Sequence, residues 1–241
     1  MVGRLALTML CIQFAIGVLN DWADRHLDAA SKPWKPLVAG LVSPRVALAT
    51  ALALIAAAML LATYGGFRAW LLAMGGLGIG VAYDLGLKRT PLSALTYAVA
   101  LPLLPLWVWT ALDRGSTALV IVLPLGMLLG FGLQLVNALP DAGADAAGGL
   151  RGTVQWLGPE RARRAAWGTL AGAGLLALGL ARPAGLHLVP FLPCWLGAAV
   201  LYGAALAAYR RQPGERALRL GWNLLAPAVA VLAAGWLASL P

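Results

Sequence analysis

Charge is scarce in this 241-residue sequence: Asp, Glu, Lys and Arg make up 11% of it, less than half the roughly one quarter usual in a soluble domain. With 61% hydrophobic residues and a mean hydropathy of +0.81, the chain lacks the polar surface of a water-soluble enzyme. Cysteine is nearly absent. Cys11 and Cys194 both fall in apolar runs and read as small packing residues rather than as a disulfide. The only two histidines, His26 and His187, stand outside any ligand-like cluster. No Ser-His-Asp set, Walker loop, Cys-x-x-Cys pair or Rossmann fingerprint occurs. Chemistry must therefore be sought among the few acids and bases that are present.

What is abundant is long apolar sequence, in runs close to the ~20 residues that cross a bilayer. Eight spans are predicted: Val2–Leu19, Pro44–Tyr64, Ala69–Tyr83, Pro91–Leu112, Thr117–Ala138, Arg164–Ala181, Leu186–Tyr209 and Gly221–Leu240. The fold class is an all-α polytopic transmembrane bundle, a single domain over residues 1–241. Pro44 and Pro91 suit first helical turns, where the missing N–H has no partner to lose. Frequent Gly and Ala suit close packing of helices in lipid. Met1–Leu19 has a basic residue ahead of an apolar stretch, as a signal peptide does. It lacks a small-residue cleavage site and runs straight into a polar motif, so it reads as a span.

The net charge of +9 does not point to nucleic acid, because the bases lie in short connections between spans. Fourteen of the 18 basic residues follow the first, third, fifth and seventh spans; Arg4, Arg68, Arg114 and Arg182 lie at the other side. The positive-inside rule puts the rich side in the cytoplasm, giving a multi-pass protein of the cell membrane. Asp21, Asp24, Asp28, Asp84, Asp141 and Asp145 fall at this same side.

These acids are patterned. Asn20, Asp24 and Asp28 are spaced i, i+4, i+8, which places them on one helix face over about 12 Å. Asn137, Asp141 and Asp145 repeat the spacing at the end of the fifth span. Two such arrays on one side read as two halves of a site. Magnesium takes hard oxygen ligands and bridges carboxylates to phosphate, so paired arrays at a membrane face suit a prenyl diphosphate whose chain stays in lipid. The metal also neutralises charge on the departing diphosphate. Lys88 and Arg89, in the connection after the third span, suit diphosphate binding. Ordinary positive-inside charge accounts for them equally well, as it does for Lys32, Lys35 and Arg151.

At these residues the chain resembles the UbiA superfamily of intramembrane prenyltransferases. NDWADRHLDAASKPWKPLVAG from Asn20 to Gly40 looks like the family's first motif with its basic, proline-containing tail. NALPDAGADAAGGLRGTVQWLG from Asn137 to Gly158 looks like the second, and YDLGLKR from Tyr83 to Arg89 is similar to the segment between them. The resemblance implies a helical bundle around a central cavity open to lipid, with the prenyl chain along apolar helix faces. Asn20, Asp24, Asp141 and Asp145 would hold two Mg2+ ions, supported by Asp28 and Asn137, with Asp24, Asp141 and Asp145 carrying catalysis. Lys88, with Arg89, Arg151 and Lys35, would steady the diphosphate, and Tyr83 would line the site. The partners implied are a prenyl diphosphate donor, an acceptor of unassigned identity (often an electron-rich aromatic ring in the family), and membrane lipid.

The sequence departs from the family pattern in two places. Ala142, Gly143 and Ala144 fill the second motif where further acids are common, and Arg151-Gly152-Thr153 replaces the usual Arg-Thr. The family also has nine helices, with its first motif after the second. Here the motif follows the first span, so an opening helix of roughly 30–40 residues with its flanks is expected to be missing, through a late start or a truncation. The competing function is a transporter or ion pathway, since intramembrane acids also mark such routes. That would place acids near mid-span across inverted repeats; these lie at helix ends on one face.

Overall fold

The computed structural model describes residues 1–114 and 118–240, and among them the secondary structure is helical, without strands. Ten α-helices follow in order: α1 (Val2–Ser31), α2 (Pro44–Ala62), α3 (Gly66–Leu85), α4 (Ser93–Ala111), α5 (Ala118–Ala138), α6 (Ala142–Ala147), α7 (Thr153–Leu157), α8 (Pro159–Ala181), α9 (Leu188–Arg211) and α10 (Glu215–Ala238). Thr117, the predicted start of the fifth span, lies outside the described residues. The protein is a multi-pass membrane protein: seven stretches are long and apolar enough to cross a bilayer.

The seven stretches agree with the eight predicted spans, because two of those spans fall within one stretch. One stretch, Pro44–Leu85, is 42 residues long and would measure about 63 Å as a single helix, twice the ~30 Å hydrocarbon thickness. It is two helices, α2 and α3, of 19 and 20 residues, each about 30 Å long. A 3-10 turn, Thr63–Gly65, separates them, and Gly66 turns the chain with a left-handed φ of 79° that a side chain would resist. Both helices pack on α1.

The contacts gather in two units. The first comprises residues 1–88 and 106–115, so α1, α2, α3 and the end of α4. Its interior is built from small and medium side chains: Cys11 and Ile12 of α1, Ala58 and Ala62 of α2, Ala69, Ala73 and Leu77 of α3, Trp107 and Ala111 of α4. Alanine at a helix contact lets backbones approach, which in lipid replaces the hydrophobic driving force. α2 starts as its sequence predicts, with Pro44 in the first turn and the Ser43 hydroxyl accepting from the Val46 N–H at 3.3 Å.

The second unit comprises residues 89–105 and 116–241. In it α9 packs along α10 and α5 along α8. Ala162, Ala166, Ala173 and Ala177 form the buried stripe of α8. Phe191 and Trp236 meet edge to face at 5.9 Å between α9 and α10. A Cβ on Gly130 of α5 would collide with the carbonyl of Tyr97 in α4, so the two backbones are in contact there. α4 begins two residues after Pro91, not at it, because the Pro91 carbonyl is turned to accept from Thr153 Oγ1 at 2.7 Å.

Large apolar side chains on the outside, such as Phe14, Leu60, Phe67, Val189 and Val200, are the exposure expected of a lipid-facing surface. Pro102, Pro105, Pro124, Pro193 and Pro227 lie inside helices, as membrane helices tolerate. Both cysteines are free thiols.

Candidate functional site

α1 is 30 residues long, about 45 Å, half as long again as the hydrocarbon layer. The helix does not end at Leu19 as the apolar run does. Nothing in residues 20–31 breaks a helix, and Arg25 braces the turn, donating from Nη1 to the Trp22 carbonyl at 2.7 Å. Pro33 then prevents its continuation. The polar end therefore carries Asn20, Asp24 and Asp28 on one helical face, as their spacing predicts. Asp28 is buried and Asn20 and Asp24 half-buried.

The chain after α1 folds back over this face. Leu41 and Val42 donate to the Pro36 carbonyl at 3.0 and 3.3 Å, and Gly40 takes a left-handed φ of 72° that favours glycine there. This return brings Lys35 Nζ to 2.6 Å from both Asp21 Oδ1 and Asp28 Oδ2. Lys32 Nζ lies 3.4 Å from Asp28 Oδ1. Burial disfavours the charge on Lys35. The hydrogen bonds and charges of Asp21 and Asp28 outweigh that and hold its pKa above the usual lysine value.

The end of α3 completes the cluster. Asp84 is buried, and its Oδ1 accepts from Asn20 Nδ2 at 3.0 Å. One turn on, in a 3-10 turn over Leu87–Arg89, buried Lys88 donates from Nζ to Asp24 Oδ2 at 2.6 Å. Tyr83 is half-buried beside them in sequence. Four carboxylates (Asp21, Asp24, Asp28, Asp84) thus meet three ammonium groups (Lys32, Lys35, Lys88), one of them largely exposed. Over these seven groups the balance is negative by one. Among the described residues no three His, Cys, Asp or Glu side chains close on a common metal-sized point; in this cluster lysine nitrogens sit against the carboxylates instead. The donor set, carboxylate and amide oxygens, is what Mg2+ prefers, and the charge deficit has the sign that a cation would offset.

The second array departs from its prediction. Asn137, Asp141 and Asp145 are not on one continuous helix. Pro140 has no N–H to continue the ladder, so α5 stops at Ala138 and α6 restarts at Ala142, with Asp141 at its N-cap. Asn137 is exposed, in the last turn of α5, and Asp145 half-buried in α6. Asp141 Oδ1 pairs with Arg219 Nη2 of α10 at 3.0 Å, and that arginine also holds Glu215 at 2.7 Å. Arg89 and Arg151 are exposed.

Sequence reasoning missed two groups. Asp84 was visible only as one more acid on the basic side, although its i, i+4 relation to Lys88 and its place at a span end were available signals. The other is a buried hydroxyl lock beside Arg151. Thr153 N donates to Ser93 Oγ at 2.9 Å, the two hydroxyls lie 3.0 Å apart, and Thr153 Oγ1 accepts from the Ala94 N–H at 2.9 Å. It ties the connection after α6 to the start of α4.

The sequence pattern of the UbiA prenyltransferase family matches residues 1–225. Chlorophyll synthase from Avena sativa is 25% identical over 183 residues, covering 64% of this chain and 44% of that protein; the chain thus spans less than half the length of that relative. A UbiA homolog from Aeropyrum pernix K1 superposes with a TM-score of 0.76 at 21% identity, covering 98% of this chain and 88% of the other. A UbiA homolog from Archaeoglobus fulgidus, bound to GPP and Mg2+, gives 0.73 at 21% identity, with 97% and 89% covered. Both likenesses are of fold.

Proposed function

Because the chain belongs to the UbiA prenyltransferase family, we propose that it transfers a prenyl group from a Mg2+-bound prenyl diphosphate to an acceptor within the membrane. The observation that carries this reading is the cluster where α1 meets the end of α3, in which Asn20 pairs with Asp84, Asp24 with Lys88 and Asp28 with Lys35. A relative of the same fold binds GPP and Mg2+, and the oxygen donors and negative balance here suit such a cation. Asn20, Asp24 and Asp28 are the ligand set of the first array, and Asn137, Asp141 and Asp145 that of the second. Magnesium, when bound, supplies a Lewis acid that offsets the charge developing on the departing diphosphate.

The remaining roles belong to the chain's own groups. Lys88 and Lys35 hold their charges against carboxylates. Once relieved of those carboxylates, the two ammonium groups would be free to donate to diphosphate oxygens. Arg89 and Arg151 add exposed guanidinium groups, and Tyr83 a half-buried hydroxyl. In the reaction the C–O bond of the donor breaks with its electron pair on the diphosphate. The acceptor nucleophile then forms the new bond to the allylic carbon and gives up its proton. Apolar helix faces hold the prenyl chain and exclude the water that would quench the cation. The charge asymmetry of the connections supports a cytoplasmic position for this chemistry.

The test is transfer from labelled prenyl diphosphates to a panel of aromatic and phosphate-bearing acceptors, in membranes containing the protein, with and without Mg2+. Product should require the metal, and Asp24→Asn and Asp141→Asn should each abolish it. Full turnover in either variant removes that array from the mechanism.

A further inference from the structure

In the first unit's cluster, the hydrogen bond to Asn20 accounts for only half of the Asp84 carboxylate. Its side chain is 2% exposed. Oδ1 accepts from Asn20 Nδ2 at 3.0 Å, but Oδ2 is buried and has no hydrogen-bond partner. A buried carboxylate oxygen left bare is costly, and structures that keep one have a reason for it. The charges around it are those of the site: Lys88, Asp24 and Asp21 all act on Asp84. Asp84 also fixes Asn20. By taking one amide hydrogen it sets which way the amide of the first array's leading residue faces.

We infer that Asp84 is a further metal-binding carboxylate, its Oδ1 orienting Asn20 and its Oδ2 reserved for the cation held by Asn20 and Asp24. The assignment rests on the Mg2+-dependent reading above and extends it to a residue outside both N-x-x-x-D-x-x-x-D arrays. The second array has Ala142, Gly143 and Ala144 between its acids and is poor in charge. A third element that contributes a carboxylate from α3 enriches the first site instead. A merely structural Asp84, serving only as counter-ion to Lys88, would leave Oδ2 turned to a donor of the protein, and no such donor is present among the described residues.

The experiment uses the full chain in lipid nanodiscs and Mn2+ as the spectroscopic substitute for Mg2+, titrated with and without inorganic diphosphate and followed by the signal of free Mn2+. Thermal melting without metal is recorded in parallel. Asp84→Asn keeps the shape and the Asn20 contact but removes the charge. It should weaken Mn2+ binding at least tenfold, while the metal-free protein melts no lower than wild type, because a buried carboxylate oxygen without a hydrogen-bond partner has been removed. Asp84→Ser, smaller and uncharged, should show the same loss if the amide variant folds poorly. Unchanged Mn2+ affinity in a folded variant overturns the assignment and leaves the proposed function standing. A lower metal-free melting temperature with unchanged affinity identifies Asp84 as structural, which also overturns it. A wild-type protein that binds no Mn2+ under either condition sinks both this assignment and the metal-dependent reading beneath it.

Discussion

Replacing Lys88 by methionine tests the electrostatics of the site directly. The Lys88 side chain is 6% exposed and its partner Asp24 18% exposed, so solvent screens the pair little. Methionine keeps most of the length and apolar bulk of the lysine stem while removing the charge. Asp24 then loses its Lys88 partner, and the cluster loses one positive charge. Breaking a buried ion pair by removing one member costs about 3–5 kcal/mol. At about 2–4 °C per kcal/mol for a chain of this length, the metal-free protein should melt roughly 6–20 °C lower. The same deficit should make the variant more responsive to divalent cations, since a cation now replaces the missing charge. The melting temperature of Lys88→Met should therefore rise more on adding Mg2+ than that of wild type, while prenyl transfer stays low because the diphosphate has lost a donor. The assay is thermal melting in nanodiscs across a Mg2+ titration. A variant that melts within about 1 °C of wild type without metal would refute the reasoning, because it would mean that the pair is screened or exchanged with solvent.

Four further outcomes are expected. Gly130→Ala should destabilise by more than the 1–3 kcal/mol typical of overpacking, because the new methyl meets the rigid Tyr97 backbone; Gly80→Ala, whose methyl meets only the flexible end of Ile16, should cost less, and comparable melting temperatures would count against the close α4–α5 approach. Thr153→Val strands the Ala94 N–H and the Pro91 carbonyl and should cost about 1–3 kcal/mol, read by melting. Arg219→Ala breaks an exposed pair with Asp141 and should shift stability by no more than about 1 kcal/mol; a larger loss would show that the arginine does more than screen. Lys35 has its pKa raised in the folded protein, so its stabilising contribution is complete below the unfolded value and is lost only as pH climbs through the folded one. The melting difference between wild type and Lys35→Met should thus be constant from neutral pH to about 10 and shrink above it; a difference that collapses between pH 7 and 9 would contradict the clamp.

Much of the molecule could be read before any coordinates. Helices were legible because apolar run length and bilayer thickness are matched physical quantities, and each predicted span corresponds to a helix with ends moved by a few residues. The exceptions are instructive. α1 runs twelve residues past its apolar segment, since hydropathy marks where lipid ends and not where a helix does. The 42-residue stretch over α2 and α3 shows the reverse: composition scarcely changes across a turn made by three residues and a left-handed glycine. The i, i+4, i+8 spacing placed Asn20, Asp24 and Asp28 on one face, yet the identical spacing at Asn137, Asp141 and Asp145 is divided by Pro140.

The kind of chemistry was written in the chain itself: oxygen ligands at helix ends, bases concentrated on the same side, and almost nothing else that is polar. Periodicity and charge are local properties, and they survive in one dimension. Which acid meets which base was decided only in three dimensions. The contacts of Asn20 with Asp84 and of Asp24 with Lys88 each join positions 64 residues apart, and the return of Lys35 onto Asp21 and Asp28 depends on the turn that closes Lys35 N–H on the Lys32 carbonyl. Burial of Asp84, Lys88 and Asp28 follows from α3 packing on α1, and burial is what turns ordinary interfacial charges into a strongly coupled site.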